Sequence, residues 1–285
     1  MKKLSVLFAA VALAACTQDT HSIDQKLTAM QKDISDIKQA IASGRVGAAQ
    51  PQRPQRPEPD RAKTYAVPVD GDPFDGPADA KVTLVKAYDY ACPYCEKVRD
   101  TMDELRKKYG NDLRVVYKQF VVHPQVATAG ALAFCAAGRQ GKAVEMDRLL
   151  WDKSFKSHNF DKDAAAEGSG APQKCWESGA GCPVVVGFAQ ELGLNADKFK
   201  ADMKDCQSLI QKDMRELQTL GVGATPSFFI NGRFISGAMP IDNFTTLIDE
   251  ELKKADQQIA AGTPRGEYYQ QVVVGKGQKT LDAPK

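Results

Sequence analysis

The chain has 285 residues, 43% of them hydrophobic and 26% charged, and its 38 lysines and arginines nearly balance 36 aspartates and glutamates. Removal of a leader carrying Lys2 and Lys3 leaves 36 against 36, a neutral protein with no electrostatic reason to bind nucleic acid. The residues show no internal repeat, phosphate-cradling loop or catalytic triad, and nothing in them requires an organic cofactor.

Met1 to Lys3 is a short basic stretch, Leu4 to Ala12 an apolar one, and Leu13-Ala14-Ala15-Cys16 a small-residue site ending in cysteine. The apolar part is far shorter than the roughly 20 residues that span a bilayer, so residues 1–15 read as a removable export signal. It resembles a bacterial lipoprotein signal, which implies that Cys16 becomes the lipidated first residue and that the chain is held in the cell envelope. Ordinary secretion with an incidental Cys16 is the alternative.

Within residues 16–45, Ile23, Leu27, Met30, Ile34, Ile37 and Ile41 follow a 4-3-4-3-4 spacing, the seam of a heptad repeat. A helix this short is marginal alone, so its stripe is expected to find a partner. A homomeric coiled coil is the first choice, ahead of packing on the protein's own body or lying on the membrane. Residues 46–64, with prolines at 51, 54, 57 and 59, read as an extended spacer whose open backbone cannot belong to a core.

Val82 to Tyr88 is rich in β-branched and aromatic residues and predicts a strand. Val98, Met102, Leu105 and Tyr109 then recur at helical spacing. Between them lies Cys92-Pro93-Tyr94-Cys95. Two thiols three residues apart at a helix start can form, break and exchange disulfides. The open N–H groups there favour a thiolate, most at Cys92, which is expected to be the more exposed; Cys95 is placed to attack a mixed disulfide on Cys92. The plainer alternatives are a zinc half-site and an inert bridge. Zinc takes about four ligands, yet no second close cysteine pair accompanies this one, and His21, His123 and His158 are scattered.

Downstream, Leu113 to Phe120 predicts a second strand, Ala127 to Phe155 helices broken near Gly138 and Gly141, Gly168 to Cys182 a loop, and Val184 to Gly221 more helix. Gly221 to Gly232 reads as a loop and a strand opened by Pro226, with Asn231-Gly232 as a hairpin turn. Ile241 to Ile259 predicts a closing helix. The tail 262–285 is expected to be disordered, although Tyr268 to Val274 is β-prone and a docked edge strand is the alternative.

Residues 65–261 resemble the DsbA-like thiol:disulfide oxidoreductases, thioredoxin folds interrupted by a helical domain. The matching pieces are Pro73 to Ala80, Asp89 to Cys95, the Ala-rich helix near Ala127 to Ala137, and Thr225-Pro226 with its hairpin. The resemblance implies an α/β thioredoxin fold with a helical insertion at about 121–220. It also implies Cys92 as nucleophile, Cys95 as resolving thiol, Pro226 as a cis-proline beside them, and the Thr225 backbone as the strip that pairs with a bound peptide. Many relatives carry an acid six residues before the first cysteine. Here that place holds Lys86, which favours the thiolate if it is buried nearby and does nothing if it faces solvent.

Four further cysteines, Cys135, Cys175, Cys182 and Cys206, allow three pairings. Cys175 with Cys182 across a local loop, and Cys135 with Cys206 between two helices of the insertion, is the preferred set, each bridge contributing about 2–4 kcal/mol; a relay that re-oxidises the active pair is the alternative. The implied function is formation of disulfides in exported proteins, with those proteins, a membrane redox partner and the lipid bilayer as partners, and a homo-oligomer through residues 23–41. An oligomeric isomerase or reductase is the nearest alternative. A non-enzymatic envelope tether or peptide-binding lipoprotein is the alternative of a different class.

Overall fold

The computed structural model describes residues 23–39, 58–158 and 174–281. The chain divides into two units, residues 1–55 and 56–285. In the first, residues 23–39 form helix α1, every residue of it exposed. Ile41, Cys16, the leader and most of the Pro-rich spacer lie outside the described residues. Among the described residues no helix is long and apolar enough to cross a membrane.

The second unit is built on a five-stranded sheet in the order β1-β3-β2-β4-β5. The strands are β1 (Phe74–Asp75), β2 (Val82–Tyr88), β3 (Leu113–Gln119), β4 (Ser227–Ile230) and β5 (Arg233–Ser236). Only β2 and β3 run parallel. The crossover between them is α2 (Pro93–Lys97) and α3 (Arg99–Tyr109), while β4 and β5 form a hairpin turning at Asn231 and Gly232, both with positive φ. The two-residue β1, inside the segment read as a lead-in, adds an antiparallel edge to β3 that is too short to register as a periodic pattern.

Every residue of β2 is buried, because helices and loops cover both faces of the sheet. Alternation sends Val82, Leu84 and Tyr88 to one face, with Val98 at the cap of α3, Met102 and Leu105 within it, and Phe244 and Ile248 of α8 (Ile241–Ala260). Val85 and Ala87 join a second cluster on the other face, with Val116, Phe229 and Phe234.

Between β3 and β4 the chain makes a helical excursion through α4 (Pro124–Gly138), α5 (Ala143–Leu149), which continues as a π-helical turn over Leu150–Phe155, α6 (Pro183–Glu191) and α7 (Ala196–Thr219). Asn195 caps α7 by accepting a hydrogen bond from the Lys198 N–H at 2.9 Å. A Cys135–Cys206 disulfide joins α4 to α7 with 6.1 Å between Cα atoms, and Cys175–Cys182 closes a short loop at the start of α6 with 4.9 Å. Residues 168–173 of the expected loop lie outside the described residues.

The tail differs from the sequence expectation. It is ordered through residue 281, with a 3-10 turn at Arg265–Glu267 and a π-helical turn at Tyr269–Val274, and Tyr268, Tyr269 and Val273 are buried. Tyr269 donates to the Val67 carbonyl at 2.9 Å, and Gln278 bridges to Tyr65. The second apolar cluster lacks a cover without these side chains, and that demand arises from the fold rather than from the tail's own composition.

Beneath this face Lys118 is fully buried, its Nζ 2.8 Å from Asp72, 2.8 Å from Asp213 and 2.9 Å from Glu216. The cluster ties the segment before β1 to β3 and α7. Burial, reinforced by the negative charge of Asp213, pushes the Asp72 carboxyl up to about 6 against the pull of Lys118. An acid raised in this way holds its proton more tightly folded than unfolded. Its contribution to stability is therefore present below its ordinary value near 3.8 and is lost as pH rises through about 6. The stability advantage of wild type over Asp72→Asn, measured by urea midpoint, should accordingly shrink between pH 4 and pH 7; a difference independent of pH would contradict this.

Candidate active site

Cys92 occupies the cap position of α2 with an extended backbone (φ −86°, ψ 116°), and Pro93 takes the first helical position, where its missing N–H costs nothing. The Cys92 carbonyl accepts from the N–H groups of Cys95 at 3.0 Å and Glu96 at 3.2 Å, closing the first turn. Both sulfurs are free thiols and both residues are buried, Cys92 at 5% and Cys95 at 0% exposure, so the expected difference in exposure is small.

Their chemical difference is large. The Cys92 thiol is lowered to about 5, first by the hydrogen bond from the Cys95 thiol, against the cost of burial, with help from Thr225 and the backbone N–H groups of Cys95 and Tyr94. Cys95 is pushed far up, first by burial and then by that same hydrogen bond. One sulfur is thus held as an acceptor and the other as its donor.

Opposite them the Thr225–Pro226 peptide bond is cis. Antiparallel pairing of β4 with β2, Ser227 against Ala87, delivers this loop to the thiols. The Cys92 Sγ lies 3.3 Å from the Thr225 carbonyl oxygen, to which the protonated thiol donates. The Pro226 carbonyl accepts from the Gly237 N–H at 2.8 Å, and Ser227 Oγ donates to the Ala224 carbonyl at 2.8 Å, so both ends of the loop are fixed.

Lys86 lies on the same face of β2 as Tyr88 and is buried, not turned to solvent. Its Nζ sits 4.5 Å from the centre of the Tyr88 ring, 5.5 Å from Tyr117 and 5.9 Å from Trp151. Its charge acts on Cys95, opposing the rise that burial imposes, and is the smallest of the named influences there.

Two features beyond the motifs complete the site. Asp89, fully buried, accepts from the N–H groups of Ala91 at 2.6 Å, Val122 at 2.5 Å and His123 at 2.8 Å, which pins the turn before Cys92 to the loop before α4. The link to Ala91 is an aspartate turn that the residue order Asp-x-x permits; the bonds to Val122 and His123 have no sequence signal. Tyr90 donates to Asp147 at 2.8 Å, Trp151 donates to the same oxygen at 3.1 Å, and Gln119 donates to Tyr88 at 2.6 Å. Burial holds both phenols well above their ordinary value, so they remain protonated. Tyr94, between the two cysteines, and Val122, whose N–H is held by Asp89, carry exposed side chains.

A family model described as thioredoxin matches residues 69–250, and the chain belongs to the thioredoxin family. Among solved structures, alpha-DsbA1 of Wolbachia pipientis superposes with a TM-score of 0.53 at 18% identity, over 68% of this chain and 96% of that one. Oxidised BdbD of Bacillus subtilis gives 0.51 at 21% identity, over 69% of this chain and 100% of that one. What these structures share with the chain is the fold. Of curated relatives, the Na(+)/H(+) antiporter NhaA of Herminiimonas arsenicoxydans is 32% identical over 187 residues, 64% of this chain but 26% of that protein. The chain spans about a quarter of the length of the curated relatives it matches.

The hydrogen bond between the two thiols has a measurable consequence. Thiolate absorbance of the reduced protein should titrate with a midpoint near 5 for Cys92, and Cys95→Ala, which deletes the main donor, should move that midpoint upward. An unchanged midpoint in the variant would assign the lowering to the backbone instead. Because the thiol is depressed on folding, its contribution to the stability of the reduced form is present above the ordinary value near 9 and lost as pH falls through about 5.

Proposed function

We propose that this chain is a cell-envelope thiol:disulfide oxidoreductase of the DsbA-like class that introduces disulfides into exported proteins. The observation that carries the reading is the opposed acidity of the two thiols, Cys92 lowered to about 5 and Cys95 raised, against the Thr225 carbonyl beside cis Pro226.

In the oxidised protein a substrate thiolate attacks Cys92 Sγ. A bond forms between the substrate sulfur and Cys92, the Cys92–Cys95 bond breaks, and Cys95 leaves with the electron pair. Its high pKa draws a proton at once, which disfavours return. A second substrate thiolate then attacks the substrate sulfur of the mixed disulfide, and Cys92 leaves as a thiolate. The substrate loses two electrons, the pair gains them, and a low-pKa leaving group makes this second step fast. No organic cofactor enters, since the electrons move between sulfur atoms. A membrane redox partner takes them from the reduced pair to restore the disulfide.

Thr225 offers backbone to an extended peptide, and Tyr94 and Val122 offer apolar contact. Lys86 tunes the pair from below, and the bridges Cys175–Cys182 and Cys135–Cys206 brace the insertion. Cys16 carries the lipid after removal of residues 1–15, and residues 46–64 space the catalytic domain from the bilayer. A second reading, an oligomeric isomerase or reductase in which reduced Cys92 attacks a wrong substrate disulfide, draws on the exposed apolar stripe of α1.

The roles of the two cysteines separate in one experiment. Cys95→Ala should accumulate mixed disulfides with exported proteins, seen as thiol-sensitive bands of higher mass, and Cys92→Ala should accumulate none. Equal trapping by both variants would overturn the assignment.

A further inference from the structure

Of the eight large hydrophobic residues exposed among the described residues, five lie on one stripe of α1: Ile23, Leu27, Met30, Ile34 and Ile37, each 50–59% exposed. A stripe of this kind on a 17-residue helix that is marginal alone marks an interaction surface. The identities along it say what covers it. The 4-3-4-3 spacing sets Leu27 and Ile34 at the a positions of a heptad and Ile23, Met30 and Ile37 at d. Two-stranded coiled coils favour β-branched residues at a with leucine at d. Isoleucine at both positions, as in Ile34 with Ile37, or leucine at a with isoleucine at d, as in Leu27 with Ile23, moves the preference to three or four strands.

The flanking charges set the direction. Asp33 falls at g and Lys38 at the following e, so in a parallel assembly Asp33 of one copy faces Lys38 of the next. An antiparallel arrangement over the same length would still pair Asp24 with Lys38, but it would bring Asp33 of one copy against Asp33 of the other. We infer that α1 is the core helix of a parallel self-assembly of three or four copies of this chain, which presents several copies of the thiol pair together.

The test uses the full mature chain with Cys16→Ser to keep it free of lipid. Sedimentation equilibrium should give three or four protomer masses. A monomer or a dimer at micromolar concentration overturns the inference. Leu27→Asn combined with Ile34→Asn should reduce the mass to one protomer, and an assembly that survives both changes overturns the role of α1. Asp33→Lys and Lys38→Asp should each weaken association several-fold, and the two together should restore it. A pair that fails to restore it is the antiparallel result and overturns the stated direction. The inference stands apart from the thiol-exchange reading: a monomer that still reduces insulin overturns the assembly alone, whereas an assembly inert toward insulin supports this inference and overturns the chemistry.

Discussion

The site depends on one hydrogen bond, from the buried Cys95 thiol to Cys92. It is the main cause of the lowered Cys92 thiol and, after burial, the second cause of the raised Cys95 thiol, so two chemically identical side chains part in acidity. Position does the sorting. Cys92 caps α2, where neighbouring N–H groups can add to the donor, while Cys95 sits one turn in with no exposure and must keep its proton. The thiolate form of Cys92 belongs to the reduced protein only, so stabilising it stabilises the reduced state and raises the tendency of the disulfide to accept electrons.

The surrounding fold keeps that bond in place. Pairing of β2 with β4 brings cis Pro226 and the Thr225 carbonyl to the sulfur, and Asp89 anchors the preceding turn through three backbone N–H groups. The insertion reaches the same site from the other side, since Asp147 accepts from Tyr90 and Trp151, and Trp151 joins Tyr88 and Tyr117 around Lys86. Aromatic rings enclose Lys86 on the active-site face, a different electrostatic setting from an acid at that place in the strand.

Local patterns made much of this legible. The β-branched run of β2, the cysteine pair at a helix start, the Thr225-Pro226 strand opening and the Asn231-Gly232 turn are each set by residues close together in sequence, and each lies where its pattern placed it. What escaped depends on partners far apart in the chain. Lys118 reads as an ordinary strand lysine until Asp72, Asp213 and Glu216 arrive from separate segments. Tyr268, Tyr269 and Val273 read as a β-prone tail until the second apolar cluster needs them. Whether Lys86 faced inward could not be decided from alternation, because a sheet covered on both sides buries both sets of residues.

The most direct measurement of the central claim is the equilibrium reduction potential of the Cys92/Cys95 couple against glutathione. A pair whose reduced form is stabilised by the Cys92 thiolate should lie well above the about −270 mV of thioredoxin, toward the about −120 mV of DsbA. A value at or below that of thioredoxin would mean that the reduced form gains nothing from the split between the two thiols, and would contradict the account.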